Sequence, residues 1–220
     1  MKQFVFLSTL IIGLIGCNQV SDPEHRRQFV SETASSSVTA RRIYSDSLRY
    51  VDDAAFADVR LKRIISQKAF EMHKAKYSAG CILGTGQRSG ERGLYLIRDC
   101  NEVCDTYIGE AATNKKLLLP STFDVGVSTV LPSPDCKRLI VWSTYDMPDY
   151  GEFYGHRSEL FSFTIDMEKG IDGVQPLAKH FSKRWSLGDV TWVDNKTLAV
   201  KVYSNANPTN KDYKYYLVNL

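Results

Sequence analysis

Two stretches decide the fold: "LPSPDCKRLIVW" at residues 131–142 and "VTWVDNKTLAVK" at residues 190–201. They align without a gap. Asp135 falls on Asp194, Lys137 on Lys196, Leu139 on Leu198 and Val141 on Val200. In each, a turn built on Asp-x-Lys sits before a run of β-branched and apolar residues, the mark of a turn feeding a strand. A polar loop and another strand pattern follow, "ELFSFTID" in one and "YKYYLVNL" in the other. Such repetition predicts one supersecondary unit used more than once.

The same texture extends outward from Tyr77. Short runs rich in β-branched and aromatic residues alternate with turn residues: "GCILGT", "GLYLIRD", "CDTYIGE", "DVGVSTVL" and "GDVTWVD" beside those above. "GCILGT…GERGLYLIRD" reads as a degenerate third copy. Little helix pattern lies between them. Residues 77–220 are therefore expected to form an antiparallel, mainly β domain.

The order strand, S-P-D-x-K turn, strand, loop, strand resembles the blade repeat of TolB-type β-propellers over roughly residues 120–220. The resemblance implies that Asp135 and Asp194 accept hydrogen bonds from the turn backbone while the lysines project into solvent. That family usually has Gly where Cys136 and Asn195 stand. Asn tolerates the left-handed turn conformation, and Cys does not favour it. Three blades of about 40 residues are too few for an ordinary closed propeller. The expectation is a propeller-like meander, open or partial, or a sandwich.

Upstream, residues 54–76 read as a helix. Leu61, Ile64, Ile65, Ala69, Met72 and Ala75 fall on one face, with Arg60, Lys62, Arg63, Lys68, Lys74 and Lys76 around it. The expected setting is a helix packed on the domain with a solvated basic face. Val59, Leu61 and Ile65 also alternate, which leaves a strand open. Residues 17–53 read as a flexible tether, because "SETASSSVTA" is small, polar and without apolar periodicity.

The N-terminus begins with Lys2 and the apolar run "FVFLSTLIIGLIG". This run has the length of a signal-peptide core and is shorter than the roughly 20 residues that span a bilayer. Leu14-Ile15-Gly16-Cys17 resembles the lipobox of bacterial lipoproteins. The resemblance implies a signal peptide over residues 1–16, cleavage before Cys17, and acylation of its thiol. The partner of Cys17 is then membrane lipid, and the site of action is the cell envelope. Asn18 in place of Asp favours the outer membrane, facing the periplasm.

Charge narrows the partners further. The 220 residues carry 28 basic and 25 acidic side chains, a net charge of +3. Loss of Lys2 with the leader narrows that balance, and no nucleic-acid partner is expected. Beyond Cys17 stand Cys81, Cys100, Cys104 and Cys136. An even count in an oxidising compartment predicts two disulfides. Three pairings are possible. A straight strand would hold Cys100 and Cys104 about 13 Å apart, too far to bridge. A turn at Asn101-Glu102 would close them, and the reading leans to Cys100–Cys104 with Cys81–Cys136. No C-x-x-C pair is present, so a zinc site is not expected.

Catalytic motifs are absent. "GTGQRSG" has Ser89 where a phosphate loop needs its third Gly, and a strand rather than a helix follows, so it reads as a hairpin loop. There is no G-x-S-x-G and no H-E-x-x-H. No cofactor or metal is expected. The densest chemical cluster is "YDMPDYGEFYGHRSE" at residues 145–159, a long loop between two strong strand patterns. Long loops in compact domains are often functional. Tyr145, Asp146, Asp149, Tyr150, Glu152, Phe153 and His156 are its candidate contact residues. The leading expectation is a non-enzymatic module, of an immunity or accessory-subunit type, that binds a periplasmic or envelope protein. The alternatives are a glycan hydrolase or metal binder using Asp146, Glu152 or His156, and a structural envelope lipoprotein.

Overall fold

The computed structural model describes residues 48–81, 83–85, 93–204 and 211–220. The leader, Cys17, most of the tether and the end of the "GTGQRSG" loop lie outside them. The strands are β1 (Leu48–Arg49), β2 (Ala57–Asp58), β3 (Arg63–Ile65), β4 (Gly84–Thr85), β5 (Leu94–Cys100), β6 (Cys104–Glu110), β7 (Lys116–Leu118), β8 (Thr129–Pro132), β9 (Arg138–Thr144), β10 (Ser158–Ile165), β11 (Val174–Ser182), β12 (Ser186–Trp192), β13 (Thr197–Tyr203) and β14 (Tyr213–Asn219). The helices are α1 (Gln67–Lys76) and the single turn α2 (Tyr150–Phe153).

These strands form three meander sheets. Their orders are β1-β7-β6-β5-β4, β2-β11-β10-β9-β8 and β12-β13-β14-β3. Consecutive strands within each meander run antiparallel, while β4 and the added β1 and β2 pair in parallel. The two copies of the sequence repeat hold matching places: β9 and β13 are each the second strand of their sheet, at the offset that relates Asp135 to Asp194. The mainly β, meander architecture is the one the strand patterns predict.

Period-two alternation decides the packing. Leu139 and Val141 of β9, with Phe161 and Phe163 of β10, join Leu94, Ile108 and Leu117 of the first sheet in one core. Their neighbours Ile140 and Leu160 join Val190, Trp192, Leu198 and Val200 of the third sheet in another. The second sheet is thus apolar on both faces and lies between the other two. Helix α1 covers the third sheet's outer face through Phe70, which packs with Ala199 and Tyr215.

The segment before α1 corrects two boundaries. Only Gln67–Lys76 of residues 54–76 is α-helical, with Ser66 capping its N-terminus by accepting the Ala69 amide, and Ala54 and Ala55 end a single 3-10 turn. Residues 48–65 are instead a strap. In chain order it lends β1 to the first sheet, β2 to the second and β3 to the third. Residues 48–53, expected in the tether, belong to it. Tertiary edges outrank local periodicity here, because each outer strand offers unpaired backbone groups that a passing segment satisfies. Phe56 anchors the strap edge-to-face against Phe161 and Phe163, with centroids 5.1 and 5.2 Å away. Arg49 donates to the carbonyls of Ile171 (3.2 Å) and Val174 (2.8 Å). Val59 donates its amide to the Lys179 carbonyl at 2.9 Å and accepts from His180 Nδ1 at 2.9 Å.

Cys81 is joined to Cys136 and Cys100 to Cys104, with Cα separations of 5.8 and 4.1 Å. The second bridge closes the β5–β6 hairpin, where the two cysteines are register partners. Both repeat turns are held by their aspartates. Asp135 Oδ1 accepts the Lys137 amide (3.1 Å) and the Ser133 hydroxyl (2.7 Å). Asp194 Oδ1 accepts the amides of Lys196 (2.7 Å) and Thr197 (2.8 Å). Cys136 adopts φ +59°, the left-handed conformation its side chain disfavours.

Candidate functional site

Of the loop expected at residues 145–159, residues 145–157 leave β9 and turn through α2, while Ser158 and Glu159 already belong to β10. The loop's base is aromatic. Phe123, buried on the β7–β8 connection, stacks on Tyr145 (5.8 Å), meets Tyr154 edge-on (5.1 Å) and touches His156 (5.3 Å). Tyr145 and Tyr154 contact each other at 4.9 Å. His156 stacks on Phe181 of β11 at 4.6 Å, nearly parallel.

Beneath these rings lies a carboxylate. Glu159 is wholly buried; its Oε1 accepts the Thr122 amide at 2.9 Å, and its Oε2 lies 3.2 Å from His156 Nε2. The pair is satisfied inside the protein, which fits a structural tie better than a reacting dyad. His156 is therefore corrected as a contact residue: Phe123, Phe181 and Glu159 surround it.

A second network holds the loop's first residues. Asp146 accepts the Tyr203 hydroxyl and lies 3.5 Å from Lys211 Nζ and 3.7 Å from Arg157. The Arg157 guanidinium sits over the Tyr150 ring at 5.0 Å and donates to the Ser204 carbonyl. Tyr150 donates its hydroxyl to the Lys183 carbonyl at 3.2 Å, and Tyr145 donates to Asp149 at 3.2 Å. Burial first, then the neighbouring carboxylates Asp149 and Asp146, pushes the Tyr145 and Tyr203 phenols up. Both remain donors at neutral pH rather than bases.

The tip is different. Glu152 is exposed, and so are Phe153 at 64% and Met147 at 57%. Two large apolar side chains thus stand in water on a loop whose base is packed, hydrogen-bonded and closed by α2. Asp146, Glu152 and His156 belong to separate surroundings and share no reaction centre. Among the described residues, no group of three or more His, Cys, Asp or Glu is placed to hold a metal ion. The sequence pointed to the loop but missed Phe123, Thr122, Phe181, Tyr203 and Lys211. Their partners lie tens of residues away, and no local motif joins them. No family model matches this chain, and no curated protein matches it.

Proposed function

We propose that this chain is a lipid-anchored envelope protein whose β domain is a non-enzymatic protein-binding module, contacting its partner through the tip of the loop at residues 145–159. The observation that carries this reading is the exposure of Phe153 and Met147 on a rigid base. Apolar anchors held by a preorganised support are the usual centre of a protein interface. The Asp149 and Glu152 carboxylates would form the polar rim. Cys17 and its acyl chains would hold the domain at the membrane, the outer membrane in preference to the inner, facing the periplasm. Each buried methylene adds about 0.8 kcal/mol to that attachment.

The test has two arms. Cells fed an alkyne fatty acid should label the wild-type chain and leave Cys17→Ser unlabelled. Label retained in the variant would refute the anchor. Crosslinking followed by affinity capture should recover a stoichiometric envelope protein with wild type and lose it with Met147→Ala/Phe153→Ala at unchanged stability. Equal recovery by both would refute the loop's role.

A further inference from the structure

We infer that the cleft between the strap and the third sheet binds a phosphate-bearing group. The cleft measures about 590 Å3. Arg60, Lys62 and Arg63 of the strap line it opposite Thr197 and Asn219. All three cations are exposed, and none takes part in an ion pair among the described residues. Elsewhere lysines find acids: Lys74 meets Asp189, Lys115 meets Asp172 and Lys169 meets Asp166.

The cations also sit on a fixed backbone. On one side Val59 is pinned by the Lys179 carbonyl and the His180 ring. On the other, Arg63 is the register partner of Leu217 in β14. Anchoring at both ends lowers the ordering cost of gathering three like charges around an anion. Two guanidinium forks match phosphate oxygens in pairs, and the ammonium adds a point charge. Thr197 and Asn219 supply neutral polar groups across the cleft.

Two carboxylates share the space. Asp194 is engaged by its own turn, accepting two backbone amides. Asp58 and Asp194 offset two of the three cations, which leaves the lining one positive charge. Val59, Val193 and Leu217 give the cleft apolar surface. The arrangement suits a phosphate attached to an apolar body, whether free or part of a lipid surface. It does not depend on the acylation of Cys17.

The test uses the full chain carrying Cys17→Ser, with and without Arg60→Gln/Arg63→Gln. Lys169→Gln/Lys183→Gln removes the same charge at exposed positions elsewhere and serves as the control. Titration with inorganic phosphate reads the free anion. Flotation with vesicles of phosphatidylcholine, alone or with phosphatidylglycerol, reads the headgroup. Saturable phosphate binding, or a preference for the anionic vesicles, is expected. Either should weaken about tenfold in the cleft variant, falling with added salt, and change little in the control. Phosphate binding alone assigns a soluble ligand; vesicle preference assigns the lipid headgroup. Neither response, or equal loss in both variants, would overturn the inference.

Discussion

Glu159 has no exposed surface and two partners, the Thr122 amide and the His156 ring. Glu159→Ala leaves the buried His156 ring and the part-buried Thr122 amide without their partner beneath the loop. It should cost about 3–5 kcal/mol in urea unfolding, whereas Glu159→Gln keeps an acceptor for Thr122 and should cost less. Equal losses would show that the hydrogen bonds are not what holds the loop base. His180 works at the same scale on the strap. Burial holds its pKa below the usual histidine value, against the opposing pull of the Val59 carbonyl and Asp58. As pH falls through about 6.5, the unfolded chain takes up a proton and the folded one does not. Stability is therefore full above that pH and drains as pH falls towards the depressed folded value. His180→Gln, which does not titrate, should flatten this part of the urea-midpoint profile against pH; an unchanged slope would place the titration elsewhere.

At the scale of elements, most meander strands were legible because runs of β-branched and aromatic side chains declare themselves locally; β7, three residues long, and β11, whose run is broken by Pro176, Lys179 and His180, were not. The strap was only hinted at, by the alternation of Val59, Leu61 and Ile65. Two- and three-residue strands are too short to carry a period, and Leu61, Ile64 and Ile65 continue the helical spacing of α1 by coincidence. What places them is the unpaired edge of each sheet, a property of sequence far downstream. Phe56 is the strap's anchor, so Phe56→Ala should destabilise the domain by about 3–5 kcal/mol, the range for a buried Phe replaced by Ala. A loss under 1 kcal/mol would mean the strap is dispensable. Cys136 shows the opposite case. The sequence already showed a residue unsuited to a left-handed turn, and the bridge to Cys81 holds it there at φ +59°. Closing a loop with a sequence separation of 55 stabilises by about 4 kcal/mol in the chain-entropy account. Removing the bridge as Cys81→Ser/Cys136→Ser should lose most of that. Cys81→Ser/Cys136→Gly should recover about 1 kcal/mol by relieving the turn. A glycine variant no better than the serine one would contradict that account.

Among the described residues, three meanders share two cores, and the second sheet, apolar on both faces, contributes to both. The repeat at residues 131–142 and 190–201 made a repeated β unit visible, but not how its copies pack. The candidate site was only half legible. Its loop stood out by composition, but the division between a buried base and an exposed tip depends on Phe123, Phe181 and Tyr203, brought in from other elements. His156 looked like chemistry in the sequence and is packing in the fold. Phe153 is a candidate contact residue in the sequence and Met147 is not, yet both form the exposed apolar tip. If this tip meets a partner, a photocrosslinker placed at Glu152 in living cells should give one discrete adduct, absent from a second crosslinker at exposed Met167 and lost with Met147→Ala/Phe153→Ala. No adduct at 152, or the same adducts from both positions, would mean that the tip has no such partner.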